Sequence, residues 1–525
     1  MTRYDAVLVG GGHNALVAAA YLGRAGRKVL VLERRHLVGG AAVTEEIFPG
    51  FKFSVFSYVV SLLRPEIIRD LELPRHGLQI LPLESTIVPL DNGDYLGSWG
   101  DPDLSRRELA RHSPRDAEAA TQFGHLMHHM AMAVKPILAM MPPDPTSLAP
   151  SDLRGMLNFA GHFGSLGAER FHALYKLMTM SSADYLDEWF EFDPLKATKS
   201  ASGIIGTFLG PRSPGSAYVL LHHYMGEIDG AFRAWGFQKG GTGAISESIA
   251  RAARALGAEI RTDAEVVQVL VKGGRVTGVA LASGEEIAAS LVVSGLDPRL
   301  TFTRLVDPNS LPGDLVEGIR RFKFRGSSGK VNLALSGLPT LACLPGNVRA
   351  LRGAISVSPS VAYLERAYDD AKYGEFSRHP YMDVVIPSMI DPGMAPPGKH
   401  VMSIFVQYAP HNLNGGWTDE KREAFGDTVV KTLSRYAPNI ESLILHRQVL
   451  TPADIERITG LTEGNIFQGE LALQQLFFLR PVPRWAKYRT PIRGYWQCGA
   501  GTHPGGGIMG GSGRLAAREI LKAAS

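Results

Sequence analysis

The chain has 525 residues, 45% hydrophobic and 20% charged, enough apolar material for two domains with full cores. A formal charge of +4 is small for this length and comes with no basic run, which argues against nucleic acid as a partner. Cys343 and Cys498 stand far apart and outside any C-x-x-C pattern, which argues against a disulfide framework and a dithiol redox centre.

Strand signals begin at Tyr4, leaving no room for a signal or transit peptide, and no uncharged apolar stretch reaches about 18 residues, so a cytoplasmic protein without a transmembrane helix is expected. Ala6 to Val9 form an apolar run fit for a buried parallel strand, and Gly10-Gly-Gly12-His13-Asn14-Ala15 follows. Gly10 and Gly12 lack the Cβ that would hold the backbone away from a pyrophosphate, and Ala15 fills the third place of G-x-G-x-x-G/A. The helix expected through Ala19 and Leu22, stopped by Gly26, turns its amides and dipole toward the phosphates. Glu33 closes the second strand 23 residues after Gly10, where a carboxylate accepts both ribose hydroxyls and disfavours a 2′-phosphate. Arg34-Arg35 reads as local cover for the pyrophosphate. Gly39-Gly40-Ala41 and Thr44 look like the extended dinucleotide motif of the two-domain flavoproteins, which favours FAD over NAD.

A methionine-rich segment with Met127, Met130, Met132, Met140 and Met141, broken by Pro136 and Pro142, is read as core helix; a pocket lining or contact with a bilayer surface are the alternatives. His125, His128 and His129 share a helical face, but no neighbouring acid or cysteine completes a ligand set, so no metal is expected. From Trp235 a second nucleotide-domain segment is expected: Gly240-Gly-Thr-Gly243, an amphipathic helix, then short strands near 259–261, 265–271, 276–281 and 286–294. These strands fit a small three-stranded layer over the main sheet, with Leu291-Val-Val293 returning to that sheet. The third segment, Gly494 to Gly511 and the helix after it, has six glycines among the eleven residues from Gly501 to Gly511. Such a backbone can press against a flat flavin, with Gly501, Gly507, Ile508 and Met509 as contacts and the helix N-terminus stabilising a reduced, anionic ring. Cys498 is taken as a buried thiol and FAD as non-covalent.

These three segments, with Ser294-Gly-Leu-Asp297-Pro298, resemble the carotenoid and retinoid oxidoreductase family, phytoene desaturase-like, within the flavin-containing amine oxidase superfamily. Ala217 to His223, Gly464 to Gly469 and Gln475 to Pro481 further resemble its subgroup of pyridine nucleotide-disulfide oxidoreductase domain-containing proteins. The resemblance implies an α/β, FAD-binding Rossmann-like fold with a discontinuous α+β substrate domain. It places FAD between the first unit, Val266 against adenine, and the last glycine loop against the isoalloxazine. The nucleotide domain is expected from 1–74, 235–299 and 486–525, and the substrate or cap domain from 75–234 and 300–485. The subgroup's name does not describe this chemistry, because neither a redox cysteine pair nor a second complete nucleotide motif for NADPH occurs.

Flavin chemistry needs few protein groups beyond positioning and exclusion of water. His503 in the flavin loop, His223 beside His222, and Lys330 at a strand start are the catalytic candidates, the lysine because the wider superfamily uses one to hold a water. The expected function is dehydrogenation of a largely apolar molecule by hydride transfer to flavin N5, with oxygen, quinone or another acceptor restoring the flavin. A regulatory flavoprotein acting through a protein partner is one alternative. An amine oxidase with an aromatic cage drawn from Trp235, Trp485, Tyr488 and Trp496 is the other. The oligomeric state is not legible in the sequence.

Overall fold

The computed structural model describes residues 3–228, 230–232 and 235–524. Ala6, Val7 and Leu8 are completely buried, as a parallel strand covered on both faces requires. Strand Tyr4–Val9 lies between Val29–Leu32 and Glu286–Ser294 and is parallel to both, with Ala6 opposite Val29 and Leu291. Glu259–Arg261 extends the parallel set on one side and Tyr495–Gln497 on the other. One sheet is thus assembled from three widely separated stretches of chain.

As the apolar run Leu291-Val-Val293 leads one to expect, strand Glu286–Ser294 belongs both to a three-stranded layer and to this sheet. Its first half runs antiparallel to Arg275–Leu281, Ile287 opposite Val279, and that strand pairs with Val266–Lys272. Its second half, Ala289 to Ser294, joins the parallel sheet. Alternation along the strands sorts the layers. Ala6, Leu8, Val29 and Val31 face helices His13–Arg24, Gly243–Ala255 and Gly511–Ala524, while Val7, Val9, Leu30 and Leu32 face the 266–281 hairpin and helices Pro298–Thr303 and Gly313–Arg321.

Close approach between these helices and the loops depends on missing side chains. A Cβ on Gly513 would stand 2.0 Å from the Asn14 carbonyl oxygen, so the 511–524 and 13–24 helices meet only with glycine there. Gly243 is as tight against Thr44, whose hydroxyl accepts from the Gly243 amide at 3.0 Å. Gly240-Gly-Thr-Gly243 therefore seats its helix on the 39–44 segment.

Among the described residues a second sheet has seven strands in the order Ile444–Leu450, Ser328–Leu335, His400–Gln407, Tyr381–Val385, Ala354–Val357, Ser85–Pro89 and Tyr95–Trp99. Val331, Leu333, Ile404 and Val406 pack with Phe425 and Val429 of helix Asp419–Ser434 on one face. The other face carries Lys330 and Asn332, both buried against the 55–58 strip rather than exposed. In the helical layer, Met127 and Met130 of helix Pro114–Leu138 are fully buried around Phe123, Met132 is 46% exposed, and His125, His128 and His129 lie on the outer face. Among the described residues no three His, Cys, Asp or Glu gather as a metal-binding group, and no helix is long and apolar enough to cross a membrane.

Overpacking a tight contact costs roughly 1–3 kcal/mol, so Gly513→Ala is expected to lower the Tm in calorimetry. Gly161, inside helix Pro150–Gly164 with nothing within 4 Å of an added Cβ, serves as the control. Gly161→Ala is expected to stabilise by about 0.5–1 kcal/mol.

Candidate active site

Strands Tyr4–Val9, Val29–Leu32, Glu286–Ser294 and Tyr495–Gln497 all direct their carboxyl ends to one cavity of about 530 Å³, lined there by Val9, Leu32, Gly295 and Ala500. Ligands of open parallel sheets bind at this edge. The cavity reaches the second sheet at Phe405 and includes the 56–62 strip, Ile205, His223, Trp235 and Phe467.

On the first-sheet side it is lined by Gly10, Gly12, His13, Asn14, Ala15, Glu33, Arg34, Gly39, Gly40, Ala41 and Val266. Gly10 adopts φ +87°, a conformation that suits glycine. Helix 13–24 starts from Gly12 with no side chain capping it, which leaves its first amides available to an anion. A Cβ on Gly12 would meet nothing within 4 Å, so that glycine keeps cavity space open rather than relieving a contact in the fold. His13 bonds the Gly507 backbone, burial drives its pKa down to about 4, and its Nε2 is buried without a partner. Glu33 is 7% exposed and held through one oxygen by the Gly11 amide at 2.7 Å and through the other by the Arg35 amide at 2.9 Å. Each oxygen retains a lone pair for a further donor.

Arg34 and Arg35 do not cover this helix end. Arg34 donates to the Ile458 carbonyl at 2.8 Å, at the end of helix Pro452–Thr459, and Arg35 pairs with Glu45 at 2.8 Å. The carbonyls engage Arg34 and the Glu45 carboxylate engages Arg35, and the helix amides remain uncapped.

The second-sheet wall is aromatic. Tyr58 stacks on Phe405 with ring centres 5.5 Å apart, and His223 stacks between Trp235 and Phe467 at 6.0 and 6.3 Å. His223 Nδ1 bonds the Val219 carbonyl at 2.9 Å, and burial lowers its pKa to about 4, so the ring is neutral. Behind Phe405 the register places Lys330 and Asp383 on the two flanking strands of one row. Tyr58 covers that row: its hydroxyl donates to Asp383 at 2.6 Å and its ring lies 4.9 Å from Lys330 Nζ, which donates to the Phe56 carbonyl. Burial brings Lys330 down to about 7 and Asp383 up to about 6. Lys330 thus sits one layer behind the cavity wall.

His503 is elsewhere. Its Nε2 donates to the Ile137 carbonyl at 3.1 Å, at the end of helix 114–138, and burial lowers its pKa to about 3. Gly507 and Ile508 line the cavity, but Gly501 and Met509 do not; Gly501 packs on Pro298 and donates to Gln468, and Ala500 faces the cavity instead. Of the aromatic residues considered for a cage, only Trp235 lines the cavity. Trp485, Tyr488 and Trp496 belong to the cores beneath the first sheet. Cys343 and Cys498 are free thiols, Cys498 pushed up to about 12 by burial, and they form no dithiol pair. Tyr58 and Phe405 line the cavity without being signalled by any motif, and Phe467, Gln468 and Asp297 line it from the 464–469 and 294–298 motifs, which do not single them out as site residues. A hint exists for the first pair: the alternation Lys330-Val-Asn332-Leu marks a strand with a polar face, and a buried polar face needs a partner such as Tyr58.

Residues 176–521 match the family described as flavin containing amine oxidoreductase, and residues 8–69 match the NAD(P)-binding Rossmann-like domain. The chain belongs to the flavin-containing amine oxidoreductase family. This family member is 41% identical to the rat (Rattus norvegicus) pyridine nucleotide-disulfide oxidoreductase domain-containing protein 2, over 99% of its own length and 94% of the relative's. It is 26% identical to a subunit of the limonene dehydrogenase of Castellaniella defragrans, covering 99% and 94% of the two chains. An oxidoreductase structure from Methanosarcina mazei shares the fold, with a TM-score of 0.62 at 17% identity over 99% of this chain and all of that one. The chain is a flavin-dependent oxidoreductase of α/β, Rossmann-like architecture.

The ordinary pKa of Lys330 is 10.5, against about 7 in the fold. Between these values only the unfolded chain holds that proton, so stability is expected to rise as pH increases from about 7 toward 10, and the burden is full below 7. Tm measured against pH should show that rise, and Lys330→Met should flatten it.

Proposed function

We propose that the cavity binds FAD without a covalent link and that the enzyme dehydrogenates a largely apolar, uncharged small molecule. The observation that carries this reading is the distribution of charge along the cavity. Glu33, Arg34, Glu265, Asp297, Arg304 and Glu456 line it on the first-sheet side, and the wall at 56–62, Ile205, Trp235, Phe405, Ile466 and Phe467 has no ionic group. The residues present fit the dinucleotide: an uncapped helix end and open space at Gly12 for a pyrophosphate, a fixed carboxylate at Glu33 for a ribose, and an orphaned His13 Nε2 between helix and glycine loop.

When bound, the flavin supplies N5 as acceptor for a hydride from a substrate C–H bond. The amides from His13 onward hold phosphate charge, and Glu33 orients the adenosine with Val266 beside it. Ala500, Gly507 and Ile508 face the ring from the glycine loop. Tyr58, Phe405 and Phe467 exclude water and hold apolar substrate by contact area. His223, neutral and locked between two rings, orients substrate, and Lys330 holds a proton near neutral pH behind Tyr58. Oxygen, quinone or another acceptor removes the electrons afterwards. The relative named for limonene dehydrogenation supports an apolar substrate. An amine substrate would be protonated near neutral pH, and this wall offers it no carboxylate.

Two experiments test the reading. Gly12→Ala is expected to leave the stability of the apoprotein within about 0.5 kcal/mol of wild type, because an added Cβ meets nothing within 4 Å in the fold, and to lose flavin on purification; full flavin content in that variant would overturn the placement. Under anaerobic conditions the flavin absorbance of the wild type should bleach with a neutral isoprenoid or polyene and persist with a primary diamine. The reverse pattern would replace this reading with amine oxidation, and bleaching by neither would favour the regulatory role through a protein partner.

A further inference from the structure

Arg480 is completely buried, and among the described residues it forms no ion pair. All of its donors go to backbone. Nε and Nη2 reach the Ala500 carbonyl at 3.1 and 2.9 Å, Nη2 also the Phe467 and Gly469 carbonyls at 2.9 and 3.1 Å, and Nη1 those of Glu470 and Gln475 at 3.2 Å. The carboxylate of Glu470 is paired with Arg325 instead. The titratable groups that feel the guanidinium are Tyr218, His222 and His503, and burial keeps the phenol protonated and both imidazoles neutral. Desolvation pulls Arg480 down to about 9, which leaves it protonated at neutral pH.

A lone cation buried this way is costly to desolvate, and carbonyl dipoles offset the cost without cancelling the net charge. That charge stands immediately behind the cavity, since Phe467 and Ala500, which line it, are bonded to the same Nη2. A Cβ on Gly505 of the glycine loop would be 3.7 Å from Nε. A neutral clamp could have tied these loops together; a cation adds an electric field to the same wall.

We propose that Arg480 is a positioning residue whose uncompensated charge stabilises negative charge on the isoalloxazine end of the cofactor, and so sets how readily the flavin accepts a hydride. This rests on the FAD placement given above. A hydride accepted by a flavin held there would bring two electrons and one proton and add one negative charge to the ring system, while the substrate, oxidised to a cation, would become the dehydrogenated product by releasing a proton from the adjoining carbon to solvent. Arg480 supplies the matching positive charge without giving up a proton.

Sulfite is the probe, because its adduct with an oxidised flavin places negative charge on the same ring and bleaches it without substrate. The experiment compares sulfite dissociation constants and flavin content in purified holoenzymes. Arg480→Gln is expected to keep flavin but weaken sulfite binding by roughly tenfold or more, and Arg480→Lys, which restores charge, to stay within about threefold of wild type. Should Arg480→Gln not fold, a second pair decides. His222, whose ring nitrogens have no hydrogen-bond partner, can be replaced without breaking the carbonyl cage. His222→Glu, placing a carboxylate near Arg480, should weaken sulfite binding relative to His222→Gln by roughly tenfold. Equal sulfite affinities within either folded, flavin-bearing pair would make Arg480 a loop clamp only and overturn the proposal. A wild type that purifies without flavin would instead defeat the FAD placement, and the proposal with it, whereas one that binds flavin yet forms no sulfite adduct would overturn the proposal alone.

Discussion

The bare amino end of the 13–24 helix is the constraint around which the rest of the molecule is arranged. A helix start left uncapped inside a protein is unfavourable unless something negative occupies it. No described side chain does so here: the nearby acid, Glu33, is held aside by the Gly11 and Arg35 amides, and the two arginines that follow are bound to Glu45 and to carbonyls of a distant helix. Gly12 keeps the approach open, and Gly513 lets a second helix close over Asn14 without covering the first one's end. The first amides of this helix are therefore left available to an anion by the fold itself.

A second tension lies across the cavity. Central strands usually bury apolar side chains on both faces, yet Ser328–Leu335 and its neighbours bury Lys330, Asn332 and Ser403, with Asp383 half-buried beside them, on the face that carries Phe405. Each is satisfied through the 55–58 strip or its cross-strand neighbours, as in the bonds from Asn332 to the Val55 carbonyl and to Gln448. The wall facing the substrate space is apolar while the layer behind it is polar. Such a stack can shield a reaction from water and still carry field and proton-holding groups within a few bonds of it.

What was legible in sequence follows from how local each interaction is. Gly10 to Ala15, Glu33 and Gly39-Gly40 form one short unit, so spacing alone located one end of the cavity and the parallel strands that feed it. Gly507 and Ile508 were found the same way, because a glycine-rich turn between strand and helix announces close backbone approach. The substrate wall was not legible, since Tyr58, Phe405 and Phe467 meet through cross-strand register and chain crossover that leave no periodic trace. His503 and Arg34 show the limit from the other side. Both sit in the right loops, and the side chains turn to backbone carbonyls at the ends of other helices, a competition between hydrogen-bond acceptors that sequence position does not rank.

The strand Glu286–Ser294 has a consequence for how the chain is made. Its first half closes a local hairpin that can form as soon as it is synthesised, whereas its second half needs Tyr4–Val9 from far behind and Tyr495–Gln497 from far ahead. Contacts of such sequence separation form slowly. During translation the nascent nucleotide sheet must therefore wait with one edge unpaired while the whole intervening stretch is produced and packed. The glycine loop that lines the cavity through Ala500, Gly507 and Ile508 arrives only with the last strand, so the cavity is complete only at the close of assembly.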